Sequence, residues 1–261
     1  MKDTTMLITS LQNPLVKQVV ALRDSKVRRE QGLTLIDGKR EIERAVIAGA
    51  SIVRIIFCPK LMVGVLDLKI KPEMVEVSAS AFEKIAFGQR TGGVMAIVKY
   101  ALKDFKDINL SKSPMIVILE AVEKPGNLGA IIRTCDSAGV DALLIADPKT
   151  DIYNPNVIRA SVSTVFALPV VTGTNEEILA FLKKNQIRIA AALVQARSIY
   201  TQADLKGPLA IVLGSEDKGL SEFWQKNSDV KVKIPMKGIA DSLNVSVSAS
   251  ILIFEALRQR S

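Results

Sequence analysis

The sequence predicts an α/β protein in two parts: a small α/β unit, then a larger, mostly parallel sheet with helices on both faces. Three observations predict it. Short apolar, β-branched runs alternate with amphipathic stretches along the chain, the pattern of strands joined by crossover helices. In the C-terminal half three of these runs (Met115 to Leu119, Ala142 to Ala146, Leu209 to Leu213) are continuously hydrophobic, as strands buried on both faces are. Between the halves lies a polar stretch, Tyr100 to Pro114, with Lys103, Asp104, Lys106, Asp107 and Ser111-Lys-Ser-Pro114, the best linker in the chain. The expected division is therefore 1–100, a linker at 101–114, and 115–261.

In the first part, Asn13-Pro14 reads as N-cap and N1 of a helix with Leu15, Val16, Val19 and Val20 on its buried side. Arg23 to Glu30 follows, a charged segment whose default reading is a solvated helix face. Leu33 to Ile36 reads as a strand and Gly38 to Gly49 as an amphipathic helix. Ile52 to Cys58 and Val75 to Val77 read as strands, Ser78 to Phe87 as a helix, and Val94 to Val98 as a further strand.

In the second part, strand 115–119 ends at Pro125-Gly126, and Asn127 is a good helix N-cap. Leu128, Ile131, Ile132 and Cys135 recur at helical spacing to form a core-facing stripe, and Gly139 is a C′ stop. Arg133 sits off that stripe. Strand 142–146 follows, then a helix from Asn156 to Phe166 and a helix to Lys184 opened by a Thr174–Glu177 capping box. Strands 187–194 and 209–213, a short helix near Ser221 to Gln225, strand 230–234 and a final helix from about Ser246 complete the chain.

Composition narrows the chemistry. Of 261 residues 48% are hydrophobic, ample for a core, yet no apolar run reaches the ~18 residues of a membrane span. Met1-Lys-Asp-Thr-Thr5 has no signal-peptide core behind it, and two distant cysteines, Cys58 and Cys135, imply reduced thiols in a cytoplasmic protein. The chain has no histidine, which excludes Ser-His-Asp and Cys-His catalysis and His-ligated zinc, and no metal site is expected. A net charge of +8 and a pI of about 9.4 favour a polyanionic partner, and 5% aromatics argue against a stacking platform for single strands. Dinucleotide and P-loop glycine motifs are absent.

Three stretches carry chemistry: Asn127-x-Gly-x-x-x-Arg133, Leu213-Gly-x-Glu216, and Ile234-Pro-Met236 followed by Ser242-Leu-Asn-Val-Ser246. Each alone has a bland reading, as a turn, a loop carboxylate or core residues. Together and in this order they resemble the SpoU/TrmH-type RNA ribose 2′-O-methyltransferases of the SPOUT superfamily, over roughly Met115 to Arg260. The resemblance implies a C-terminal trefoil knot, which hydrophobic periodicity does not show. It also implies S-adenosylmethionine bound by knot-loop backbone, here around Ala192, Leu213, Gly214, Ile234, Met236 and Leu243. Gly214 fits such a role because a missing Cβ admits close backbone approach.

The same resemblance implies catalysis by Arg133, positioned by Ser242 and Asn244, with Asn127 bracing the turn and Glu216 pairing with a nearby backbone or arginine group. Arginine stays charged in proteins, so Arg133 is expected to orient the ribose and stabilise the developing alkoxide rather than act as the base. Asn13-Pro14, the Leu33 to Gly38 strand-turn and Gly92-Gly93-Val94 are similar to the ribosomal-protein-like RNA-binding domain that precedes many such enzymes. Candidate RNA contacts are Arg28, Arg29, Lys39 and Arg159. Family members act as dimers through the knotted domain, both protomers contributing to each site. Val247, Ile251, Phe254 and Leu257 of the last helix would suit that interface, or plain core packing.

One departure stands out. Many relatives carry Gly-Ala where Ser163-Thr164 here precede Phe166-Ala-Leu-Pro169, which bears on the local geometry and on Arg159. The expected activity is S-adenosylmethionine-dependent methylation of a ribose 2′-hydroxyl in structured RNA, ribosomal before transfer RNA. The alternatives are a non-catalytic RNA-binding or ribosome-assembly factor and a metabolite-binding regulator. Intact Asn127, Arg133, Glu216, Ser242 and Asn244 weigh against the first, and the positive charge against the second.

Overall fold

A computed structural model of the chain describes residues 7–87 and 92–261; the Met1–Thr5 stretch read above for targeting lies outside them. The chain divides into two compact units. One comprises the residues up to Ala101 together with Tyr153–Ala167, the other Leu102–Ile152 with Leu168–Ser261.

In the first unit Asn13 caps helix α1 (Pro14–Ala21), its side chain accepting from Leu15 N at 2.9 Å, as the Asn-Pro pair predicts. Helix α2 (Ser25–Gln31) is followed by strand β1 (Leu33–Asp37), helix α3 (Lys39–Ile47) and strands β2 (Ser51–Phe57) and β3 (Glu73–Glu76). Helix α4 (Ala79–Ile85) and strand β4 (Val94–Lys99) complete the run. The sheet order is β1-β4-β2-β3, with β4 antiparallel to both neighbours and β3 parallel to β2. Its core gathers Val16, Val19, Leu35, Ile56, Phe82, Met95 and Ile97.

One sequence expectation fails here. Arg28 does not lie on a solvated face: it is 1% exposed, and its guanidinium donates to the carbonyls of Leu22 (2.9 Å) and Arg23 (2.8 Å) just past α1. Those carbonyls have no helical partner, so a buried cation serves them and is not free to meet RNA. The loop after β2 is pinned by Gly93, where a Cβ would sit 2.2 Å from Met62 N and where φ is +69°.

The second unit runs β5 (Met115–Glu120), α5 (Pro125–Ser137) and β6 (Ala142–Ala146). The chain then visits the first unit with α6 (Pro155–Ala160) before returning through β7 (Val170–Gly173), α7 (Asn175–Lys184), β8 (Arg188–Ala192) and β9 (Ser198–Ile199). Strand β10 (Leu209–Leu213), helix α8 (Glu222–Asn227), strand β11 (Val230–Lys233) and helix α9 (Val245–Arg260) follow. The sheet order is β7-β6-β5-β10-β8-β11-β9, and every pairing is parallel. Such a sheet, flanked by helices, explains the unbroken apolar runs: β5, β6 and β10 are buried at every position. Its non-consecutive neighbours β5, β10, β8 and β11 are consistent with the knotted topology expected above.

Glu120, at the end of β5, is 6% exposed and fully served: Ser221 N (2.8 Å), Ser221 Oγ (2.7 Å) and Asn175 Nδ2 (3.2 Å) donate to it. The indole N–H of fully buried Trp224 donates in turn to Asn175 Oδ1 at 2.6 Å. The Thr174–Glu177 capping box of α7 is present in both directions. The stretch read as a linker is ordered against the second unit, with a 3-10 turn at Phe105–Asp107 and the Phe105 ring 5.2 Å from that of Phe181.

Two element boundaries depart from expectation, and two short strands were not expected. Helix α5 begins at Pro125, so Asn127 is its third residue and not its cap. The expected helix from Asn156 to Phe166 breaks at Ser161, because Val162 (φ 52°) and Ser163 (φ 65°) both adopt left-handed backbone. Strands β7 and β9 are too short to have shown a period.

Candidate active site

A cleft of about 590 Å³ opens in the second unit at the C-terminal ends of β10, β8 and β11. This is where open parallel sheets place ligands, and the volume suits a small organic molecule. All six residues read as cofactor contacts, Ala192, Leu213, Gly214, Ile234, Met236 and Leu243, line it. Glu216, Ser242 and Asn244 line it too, so the sequence segments 192–195, 213–220, 232–236 and 241–245 converge on one hollow.

The chain's own backbone also requires the glycine at 214. A Cβ there would lie 2.0 Å from Gly219 C and 2.3 Å from Leu220 N, inside the chain's own returning backbone. The 215–219 turn closes tightly, with Gly219 N donating to Ser215 O at 3.1 Å and Lys218 N to Ser215 Oγ at 3.2 Å. Gly214 thus shapes the loop that carries Glu216 and the cleft wall together.

Asn127, freed from capping, takes a different part. Ser246 N (2.9 Å) and Ser246 Oγ (2.6 Å) donate to Asn244 Oδ1. That fixes the Asn244 amide, whose Nδ2 donates to Asn127 Oδ1 at 3.1 Å. Asn127 Nδ2 then has one direction left and donates to Glu216 Oε1 at 2.5 Å. Residues far apart in the chain so form one directed relay, Ser246 to Asn244 to Asn127 to Glu216. The partner of Glu216 is an asparagine side chain, not the backbone or arginine group expected, and Ser246 is the member sequence reasoning passed over. Its signal was available: a serine two residues past an asparagine that begins a helix.

Arg133 stands apart. It is exposed on α5, six residues and about 9 Å of helical rise beyond Asn127, and does not line the cleft. Among the described residues its side chain makes no hydrogen bond or ion pair, and Ser242 Oγ donates to Asp241 Oδ1 (3.3 Å) instead of approaching it. The other basic candidates lie in the first unit. Arg29 is exposed, and Lys39 is half-buried with Glu43 3.8 Å away. Arg159 is half-buried within electrostatic reach of Asp37, whose carboxyl is pushed up to about 6. Burial dominates that shift; a backbone hydrogen bond at Phe87 and the Arg159 charge oppose it, and Glu41 adds to it.

Comparison with known proteins settles the lineage. The SpoU rRNA Methylase family description matches residues 114–254, more than half the chain and all of the cleft. The chain belongs to the SpoU rRNA methylase family. A second description, an MRM3-like substrate binding domain, matches residues 13–96 of this SpoU chain. The chain is 26% identical to the 23S rRNA (guanosine(2553)-2′-O)-methyltransferase RlmP of Bacillus subtilis, over 95% of its own length and 97% of that protein. A solved RNA 2′-O ribose methyltransferase is 36% identical and superposes with a TM-score of 0.87, covering 97% of this chain and 99% of that one. An AdoMet-bound rRNA methyltransferase from Sinorhizobium meliloti is 27% identical with the same TM-score of 0.87, covering 97% of each chain.

No helix among the described residues of this SpoU chain is long and apolar enough to cross a membrane. No cluster of metal-ligating side chains occurs among them either.

Proposed function

We propose that this protein transfers the methyl group of S-adenosylmethionine to a ribose 2′-hydroxyl of ribosomal RNA, in the cytoplasm. The convergence of the six expected cofactor residues with Glu216, Ser242 and Asn244 on one cleft carries the reading. The cleft fits the cofactor's chemistry. Leu213, Ile234, Met236 and Leu243 offer apolar walls, and the tight 214–219 turn offers backbone polar groups to an adenosine and an amino-acid tail. The bound cofactor supplies an electrophilic methyl group.

The chain's own residues hold the ribose and manage its proton. Arg133 orients the ribose and stabilises charge growing on the 2′-oxygen. The relay from Ser246 fixes Asn127 at the edge of the cleft. Residues 1–100, joined in one compact unit by Tyr153–Ala167, serve as the RNA-binding domain, with Arg29, Lys39 and Arg159 as its candidate contacts, and the rest of 115–261 serves as the methyltransferase domain, joined through 101–114.

The working state is a homodimer through the second domain. Arg133 lies outside its own chain's cleft, and Val247 and Phe254 of α9 are exposed at 46% and 47% while Ile251 and Leu257 are half-buried. That apolar side of α9 favours an interface over core packing.

Calorimetric titration with S-adenosylhomocysteine tests the reading. One saturable site per protomer is expected, abolished by Leu243→Trp, which fills the cleft and leaves the Gly214–Gly219 contact intact. Ribosomal RNA from a deletion strain should lack one 2′-O-methyl that only the active gene restores. A folded protein that neither binds the ligand nor restores a methyl would be a binding factor instead.

A further inference from the structure

Methyl transfer to a hydroxyl requires an acceptor for its proton, and this chain restricts the choice severely. It has no histidine. Arginine and protonated lysine have no lone pair to offer. Around the cleft the side-chain carboxylates are Glu216, Asp217 and Asp241. Asp241 Oδ1 already accepts from Ser242 Oγ at 3.3 Å, and the Asp217 carboxylate has no hydrogen bond or ion pair among the described residues.

Glu216 differs from both. It rides on the closed 215–219 turn, and one of its oxygens, Oε1, is anchored by Asn127 Nδ2 at the end of the relay that starts at Ser246. Its other oxygen, Oε2, has no hydrogen-bond partner among the described residues. A carboxylate held at one oxygen and open at the other, on a hydrogen-bonded turn in the cleft wall, is the arrangement a general base needs.

Resting on the methyl-transfer reading above, we infer that Glu216 accepts the proton of the ribose 2′-hydroxyl, and that Ser246 positions it through Asn244 and Asn127. The 2′-oxygen keeps the electron pair of its O–H bond and uses it for the new bond to the methyl carbon. The carbon–sulfur pair returns to sulfur, which becomes a neutral thioether. The proton passes to Glu216 Oε2 and from there to water when the product leaves. Arg133 remains charged throughout and stabilises the oxygen.

Glu216→Gln tests the assignment, because its amide oxygen can still accept from Asn127. The assay is single-turnover methylation of ribosomal RNA from a deletion strain, across pH, alongside calorimetric binding of S-adenosylhomocysteine. Binding within about twofold of wild type is expected, with the rate down roughly 100-fold or more and the acid limb of the pH–rate profile gone. Glu216→Asp should give an intermediate rate and keep that limb. Ser246→Ala should lower the rate by roughly 3- to 10-fold, keeping both the limb and the binding, as loss of one orienting hydrogen bond would. A Glu216→Gln protein that binds normally and transfers methyl within about threefold of wild type, or that keeps the acid limb, overturns the assignment alone. Wild-type protein that transfers no methyl overturns the methyl-transfer reading and this assignment with it.

Discussion

Asp37 ends β1 with Oδ2 buried and without a hydrogen-bond partner among the described residues. Its folded pKa, about 6, lies above the unfolded value near 3.8, so the folded state prefers the protonated acid. The stability it contributes is complete below the unfolded value and disappears as pH rises through about 6. Asp37→Asn should therefore raise stability at pH 8 by on the order of 1–3 kcal/mol and change it little at pH 3.5, read by urea unfolding at both. Ser163 makes a second case. It occupies a left-handed conformation (φ 65°) that favours glycine, and its buried Oγ has no partner among the described residues. The position coincides with the Gly-Ala pair expected of relatives, so Ser163→Gly should stabilise by about 1 kcal/mol, measured as a rise in Tm of a few degrees. Single residues were partly legible: Asn13 as a cap, Gly139 as a helix stop (φ 66°) and Thr174 as half of a capping box all behave as their chemistry dictates. Asn127 and Arg28 do not, because a local rule cannot see Glu216, 89 positions away, or the carbonyls of a preceding helix end that need a donor.

Elements follow the apolar periodicity wherever burial is uniform. Strands β5, β6 and β10 could be placed to within a residue because parallel strands covered on both faces are unbroken runs. Where backbone conformation rather than burial decides, sequence fails: nothing in Ser161 to Thr164 announces two consecutive left-handed residues. The loop after β10 shows the same division. Its glycine at 214 was legible, but its steric need within the turn was not, since only the folded turn brings Gly219 backbone within 2.0 Å of the missing Cβ. Gly214→Ala should open the turn, displacing both Glu216 and the cleft wall. The expected result is at least a tenfold loss in S-adenosylhomocysteine affinity with the apolar sheet core retained, seen by calorimetry and unchanged far-ultraviolet circular dichroism. An alanine variant that binds normally would show that the turn tolerates the extra carbon.

At the scale of the whole chain, the two units are not two consecutive segments. The polypeptide passes between them after Ala101, Ile152 and Ala167. Tyr153–Ala167 completes the first unit: Thr34 Oγ, fully buried, donates to Tyr153 O at 2.7 Å, and the Tyr100 and Tyr153 rings stack at 4.1 Å. A fragment ending at Ala101 leaves the α6-facing side of β1 bare. It should unfold in urea with a broad, weakly cooperative transition, and fusing 153–167 to it should sharpen that transition. A fragment that unfolds as sharply alone would show that the first unit needs only its own strands.

The sequence by itself determined the class of fold, the strands of the parallel sheet and the exclusion of histidine chemistry. Each follows from composition or from hydrophobic patterning along neighbouring residues, which act through local backbone geometry and burial. The residues expected at the cleft came from the resemblance of three motifs to a known family, not from patterning. Tertiary structure alone decided which of those residues touch. It turned Asn127 from a cap into the link between Asn244 and Glu216, buried Arg28, left Arg133 outside its own chain's cleft, and sent Tyr153–Ala167 to complete the first unit. Hydrogen-bond partners separated by a hundred residues meet only through the path of the folded chain, and no local propensity encodes that path.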